Sequence, residues 1–150
     1  MKKKVLLAID MNYPTLWAAS YALHLTSRLN FALALMMVFP ETQQNRPLSL
    51  DENIRLWLSR FREECNKENV PIEVFISCGE FLEEIVRFSN SKSYVQFIVI
   101  GVSNEIQIDT LTKHAQTFQN LHQQQGVDIL LVWAHGKVKR LTELYRKENL

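Results

Sequence analysis

Gln96-Phe97-Ile98-Val99-Ile100-Gly101 is the stretch on which the reading of this chain turns. Four apolar residues in succession, three of them Ile or Val, predict a strand buried on both faces. Such runs belong in the middle of a parallel sheet. An open α/β sheet keeps its ligand at the carboxyl ends of its strands, so the glycine closing this run points to a binding loop over residues 102–113. Glycine is scarce in the chain, at four residues. A phosphate cradle needs several, because backbone N–H groups must come close to the anion.

Working outward, the same kind of run recurs. Val5 to Ile9 predicts a first buried strand, ended by Asp10. Asn12 and Pro14 then suit the start of a helix. Ala18, Ala22, Leu25 and Leu29 share one helical face, and the alanines allow close packing on a sheet. Phe31 to Phe39 reads as a second, central strand stopped by Pro40. Ser49 followed by Glu52 is a capping-box pattern. It opens a long amphipathic helix with Leu50, Ile54, Trp57, Phe61 and Cys65 on its apolar stripe. Pro71 and the alternation of Ile72, Val74 and Ile76 predict a third strand nearer the sheet edge.

Gly79 makes a turn into a helix carried by Phe81, Ile85 and Phe88, which leads into the central strand. Beyond the loop, Leu111, Ala115, Phe118 and Leu121 recur at helical spacing, with Gly126 as the helix stop. Ile129-Leu130-Leu131-Val132 is a fifth strand. From Gly136, Val138, Leu141, Leu144 and Tyr145 predict a basic amphipathic tail helix. Strands alternating with helices imply a parallel sheet with right-handed crossovers. The expected organisation is one domain over 1–135 with a tail helix over 136–150.

Composition excludes several classes. Apolar residues make up 47% of the 150, charged residues 22%, and the formal net charge is +1. No concentrated positive surface suggests nucleic acid. The run Val5 to Ile9 is too short for a signal peptide, and Phe31 to Phe39 is half of what a membrane helix needs. A cytoplasmic protein without membrane insertion is expected, with Cys65 and Cys78 as free thiols. His114 and His122 stand about 12 Å apart along a helix, too far to share a metal ion. No serine sits in a nucleophile elbow. No catalytic residue, metal or cofactor is therefore assigned.

In this order and spacing, the residues resemble the universal stress protein family, of the adenine nucleotide α-hydrolase-like fold. The resemblance rests on Val5-Leu6-Leu7-Ala8-Ile9-Asp10 before an alanine-rich helix, on Met37-Val38, on Gly79 followed by Glu83, Glu84 and Ile85, and on Gln96 to Gly101. It implies a Rossmann-like, doubly wound five-stranded parallel sheet of order 3-2-1-4-5. It also implies nucleotide-site positions at Asp10, Val38, Gly101, Ser103 and Asn104. ATP-binding members carry G-x2-G-x9-G-[S/T] from the end of the fourth strand. Here Asn104, His114 and Ala115 replace the second glycine, the third and the hydroxyl residue. Glu105 and Asp109 add negative charge, and the loop has no basic residue before Lys113. The nucleotide positions are thus expected to be vestigial, with His114 or Glu105 as candidates to fill the crevice.

Two functions follow. One is a non-catalytic stress-response or regulatory protein acting through dimerisation and an unidentified protein partner. The other is an adenine-nucleotide binder, of AMP or ATP, with altered phosphate contacts. A bare fifth strand needs cover, and the resemblance implies a homodimer paired through Ile129, Leu130, Leu131, Val132 and Trp133.

Overall fold

The computed structural model describes residues 2–41, 51–91, 94–103 and 105–143. In chain order the elements are β1 (Lys4–Asp10), α1 (Ala18–Leu29), β2 (Ala32–Phe39), α2 (Glu52–Lys67), β3 (Ile72–Cys78), α3 (Phe81–Ser91), β4 (Val95–Val102), α4 (Glu105–Lys113), α5 (Ala115–Gln125), β5 (Asp128–Trp133) and β6 (Val138–Arg140). The sheet order is β3-β2-β1-β4-β5-β6. The first five strands are parallel, and β6 returns antiparallel against β5.

The continuous apolar runs are central strands, as their composition requires. Val5 to Ile9 and Leu33 to Val38 are buried throughout. Alternate residues serve opposite layers. Leu6 and Ala8 pack with Leu82 and Ile85 of α3 and with Phe118 and Leu121 of α5. Val5, Leu7 and Ile9 pack with Ala18, Ala22 and Leu23 of α1 and with Ile54, Phe61 and Cys65 of α2. Each fully buried Val, Leu, Ile or Phe among them contributes about 1.5–3 kcal/mol. The strand predicted nearest the edge is β3, which forms one end of the sheet and leaves Ile76 exposed. Both cysteines are free. Burial, with help from the charge of Glu64, pushes the Cys65 thiol up to about 11, leaving it an inert core residue.

Helix boundaries differ from the sequence reading where tertiary contacts intervene. Helix α1 starts at Ala18, six residues beyond the Asn12 cap the sequence suggests. The connecting segment is instead tied to the sheet. The Trp17 indole N–H donates to the Val132 carbonyl at 3.1 Å, and buried Thr15 lies against Gly101. Helix α2 is capped by Asp51, whose carboxylate accepts from the Ile54 N–H at 2.9 Å. Ser49, the expected cap, lies outside the described residues. Residues 105–113 are helix α4, not loop. Gly126 stops α5 as expected, with φ +69 and its N–H on the His122 carbonyl.

The largest correction concerns the end of the chain. Where a tail helix is predicted from Gly136, the chain makes a hairpin. Gly136 (φ +94) donates to the Trp133 carbonyl at 2.9 Å, and the Trp133 N–H donates to Lys137 at 2.9 Å. A three-residue loop closed by a glycine at positive φ is a favoured hairpin connection. Strand β6 then pairs Val138 with Val132, Lys139 with Leu131 and Arg140 with Leu130. Helical structure begins only after β6, at residues 141–143, where Leu141, 2% exposed, drops into the core beside Phe118 and Ile129. The β5 edge expected to receive a second copy is therefore occupied by the chain's own β6. The new edge is three residues long and carries Lys139 and Arg140, a poor template for further pairing. Trp133, expected at an interface, is half-buried with the Lys137 ammonium 5.7 Å from its ring centre. Leu144 and Tyr145, the rest of the predicted stripe, lie outside the described residues.

Candidate functional site

The strand order reverses between β1 and β4, because β2 and β3 lie on one side and β5 on the other. That is where an open α/β sheet forms its crevice. A cleft of about 140 Å³ sits there. Asp10 ends β1 on one side, and Ile100, Gly101 and Val102 end β4 on the other. Tyr13 and Thr15 enter from the β1–α1 connection. Glu80, Phe81 and Leu82 come from the start of α3, and Gln107, Thr110 and Leu111 from α4.

The predicted positions divide. Asp10 and Gly101 line the cleft. Val38 pairs in register with Asp10, but its side chain is buried with Leu82 and Ile85 under α3. Asn104 lies outside the described residues, as does the side chain of Glu105. His114 faces the groove between α3 and α5 with Arg87 and Phe118, not the cleft. Thr112 sits within α4, its hydroxyl on the Ile108 carbonyl at 2.8 Å, so the surrounding amides belong to the helix.

Ser103, the first residue after β4, is exposed and already engaged. Its backbone N–H donates to the Gln107 carboxamide oxygen at 2.6 Å, and its hydroxyl donates to the same oxygen at 2.8 Å. The Glu80 carboxylate spans the first amides of α3, accepting from Leu82 at 3.2 Å and Glu83 at 2.7 Å. Helix N-termini attract anions because their first N–H groups lack partners. Here the chain supplies the anion itself. Gly79, at φ +152, opens that turn, and a Cβ there would overlap the Glu84 carboxylate, which is itself held by Arg87 at 3.0 Å. Among the described residues no Lys, Arg or His lines the cleft.

Asp10 carries two roles. One oxygen accepts the Asn12 N–H at 2.9 Å, and its carbonyl accepts the Tyr13 N–H at 3.0 Å, so it builds the turn that leaves β1. Burial raises its carboxyl above the ordinary value of 3.8. The Asn12 backbone and side chain pull it down, and the charge of Glu80 pushes it up. A raised carboxyl binds its proton more tightly folded than unfolded. Its ionised form therefore costs stability, and the cost grows as pH rises from 3.8 through the folded value. Asp10→Asn keeps a turn acceptor and removes the charge. The variant is expected to melt higher than the parent at pH 7, with the gap closing towards pH 4. A gap that widens on acidification would contradict this.

Sequence reasoning missed Thr15, Glu80 and Gln107. Glu80 had a signal, an acidic residue between Gly79 and an apolar helical stripe. Gln107 had none, because its partner depends on how α4 leaves the sheet.

No protein-family model matches the chain, and no curated protein matches it in sequence. Solved structures do. A universal stress protein in complex with cAMP superposes with a TM-score of 0.53 at 12% identity, covering 89% of this chain and 98% of the other. A protein of the universal stress protein family from Burkholderia pseudomallei gives a TM-score of 0.49 at 16% identity, covering 87% of this chain and 96% of the other.

Proposed function

We propose that this chain, which has the fold of the universal stress proteins, is a non-catalytic regulatory protein of the stress-response type. It acts through a protein partner and does not hold ATP by a phosphate cradle. The observation that carries this reading is Gln107 closing on Ser103. The first amide and hydroxyl beyond β4 are spent on the chain's own carboxamide, at the point where a triphosphate would need them. Glu80 does the same at α3, and its charge would repel a phosphate. With Gly101 alone of the three motif glycines, a replacement cradle would need cations, and none lines the cleft among the described residues.

A second reading is favoured by one feature. The cleft is lined by Asp10 together with the apolar side chains of Phe81, Leu82, Ile100 and Val102. The compared structure holds a cyclic nucleotide, so an adenine ligand with less phosphate charge than ATP, either AMP or the uncharged adenosine, fits this reading.

Calorimetric titration with ATP, AMP and adenosine, with and without Mg²⁺, separates the two. The expected result is no heat and no thermal shift with millimolar ATP. Micromolar ATP binding would overturn the proposal. Binding of adenosine alone would favour the second reading.

A further inference from the structure

We propose that the outer face of α1 and the neighbouring strand β6 form the docking surface for the partner protein, and that its occupant is an acidic amphipathic helix. This rests on the reading that the chain works through a protein partner.

Three features converge. The first is an aromatic stripe left at the surface. Trp17 precedes α1 with helical backbone angles, so Trp17, Tyr21, Leu25 and Arg28 fall at i, i+4, i+8 and i+11 on one face. Trp17 is 37% exposed although its indole N–H is fixed on the Val132 carbonyl. Tyr21 and Leu25 are half-buried. A large ring already held still loses little freedom when a partner covers it, and Trp, Tyr and Arg dominate binding energy at protein interfaces. The second is the sign of the charge. The chain has 16 acidic residues, yet none lies in 11–40 or in 129–142. Those stretches carry Arg28, Lys137, Lys139 and Arg140, in a chain whose net charge is +1. None of these cations enters an ion pair among the described residues, and Arg28 and Arg140 are exposed. Cations that no carboxylate of the chain neutralises are complementary to Asp and Glu of a partner, whereas a second copy would bring the same cations to the surface and be repelled. The third is the juxtaposition. Trp17 is tied to Val132, which pairs with Val138 of β6. Val138 packs in the same apolar cluster as Tyr21 and Leu25, and strand alternation puts Arg140 on the same face of the sheet as Val138. Strand β6, at three residues, is too short an edge to add an extended segment. Helix α1, at 12 residues, offers a ridge about 18 Å long that a partner helix can lie along. Its apolar face would cover Trp17 and Tyr21, with carboxylates reaching Arg28 and Arg140.

The test is titration of the full chain, by fluorescence anisotropy, with a labelled peptide carrying Leu and Phe at helical spacing and Glu elsewhere. The controls are the same peptide with Lys for every Glu, the same peptide with Ser for every Leu and Phe, and a labelled single-stranded oligothymidine. ATP is titrated separately by calorimetry. The expected result is saturable binding of the acidic amphipathic peptide, at least about tenfold tighter than any control, weakening as salt is raised. The double variant Arg28→Glu, Arg140→Glu should weaken it at least about tenfold, while its melting temperature moves by no more than about 3 °C because both side chains are exposed. Trp17→Ala should weaken it by a similar factor. Equal binding of the Glu and Lys peptides would overturn the inference. So would binding untouched in the folded charge-reversed variant, or tighter binding of the oligothymidine, which would make the surface a nucleic-acid site. Silence of the peptides and of ATP overturns this surface and leaves the partner-protein reading standing, whereas micromolar ATP binding overturns that reading and the inference with it.

Discussion

Gly101→Ala is expected to destabilise the protein by about 2–3 kcal/mol, or roughly 5–10 °C in melting temperature for a chain of this size. A Cβ at this position would overlap the Thr15 hydroxyl, lie 2.5 Å from the Thr15 Cβ and stand 3.0 Å from its carbonyl oxygen. Thr15 cannot simply swing away. Its neighbour Trp17 is hydrogen-bonded to Val132, and the Thr15 carbonyl accepts the Ala18 N–H at 3.3 Å to start α1. The close approach is thus fixed at both ends. Gly101 is kept here by packing of the chain on itself, which is a different demand from a backbone that must approach a phosphate. A double-mutant cycle tests this. Thr15→Gly costs backbone entropy of its own. In the Thr15→Gly background, however, Gly101→Ala should lose at least about 1 kcal/mol of its penalty. Strict additivity of the two substitutions would show that Thr15 is not what Gly101 accommodates.

The second large effect is expected from removing residues 136–150. The deletion takes away the β6 pairing with Leu130, Leu131 and Val132 and the buried Leu141. Losing a core leucine alone costs about 2–5 kcal/mol. The deletion also bares an edge with the sequence Ile129-Leu130-Leu131-Val132, apolar and unprotected. The full chain should run as a monomer by light scattering after size exclusion, and the shortened chain as a dimer or larger species. Leu141→Ala separates the two consequences. It should destabilise by a similar amount while β6 stays in place and the mass stays monomeric. Identical masses for the full and shortened chains would mean that β6 does not guard the edge.

Much of the fold is legible because its determinants are local or periodic. Central strands buried on both faces have to be apolar throughout, and Val5–Ile9, Leu33–Val38 and Ile98–Ile100 are. Helices with one buried stripe repeat at 3.6 residues, which is why α2 and the end of α5 are visible, although the stripe read from Leu111 runs across the break at His114 that separates α4 from α5. The edge position of β3 was readable from Pro71 and its alternation. The C-terminal hairpin was not. Val138 and Leu141 fit a helical stripe as well as a strand followed by a core anchor. Where the strand ends and the helical turn at 141–143 begins depends on an open β5 edge nearby, and no window of sequence contains that edge. Ala134-His135-Gly136 was the one local hint, a three-residue loop ending in glycine.

The site divides along the same line. Sequence by itself determined the doubly wound sheet, the placing of Asp10 and Gly101 at the carboxyl ends of neighbouring strands, and the loss of two of the three motif glycines. Those are properties of strand order and of which residues lack a Cβ. Only the tertiary structure decided what stands in the crevice. Gln107 reaches Ser103, Glu80 spans the start of α3, Thr15 lies over Gly101, and His114 faces elsewhere. Each depends on the angle at which a helix or loop leaves the sheet. That angle is set by the packing of residues far apart in the chain, so the sequence pattern around any one of them does not contain it.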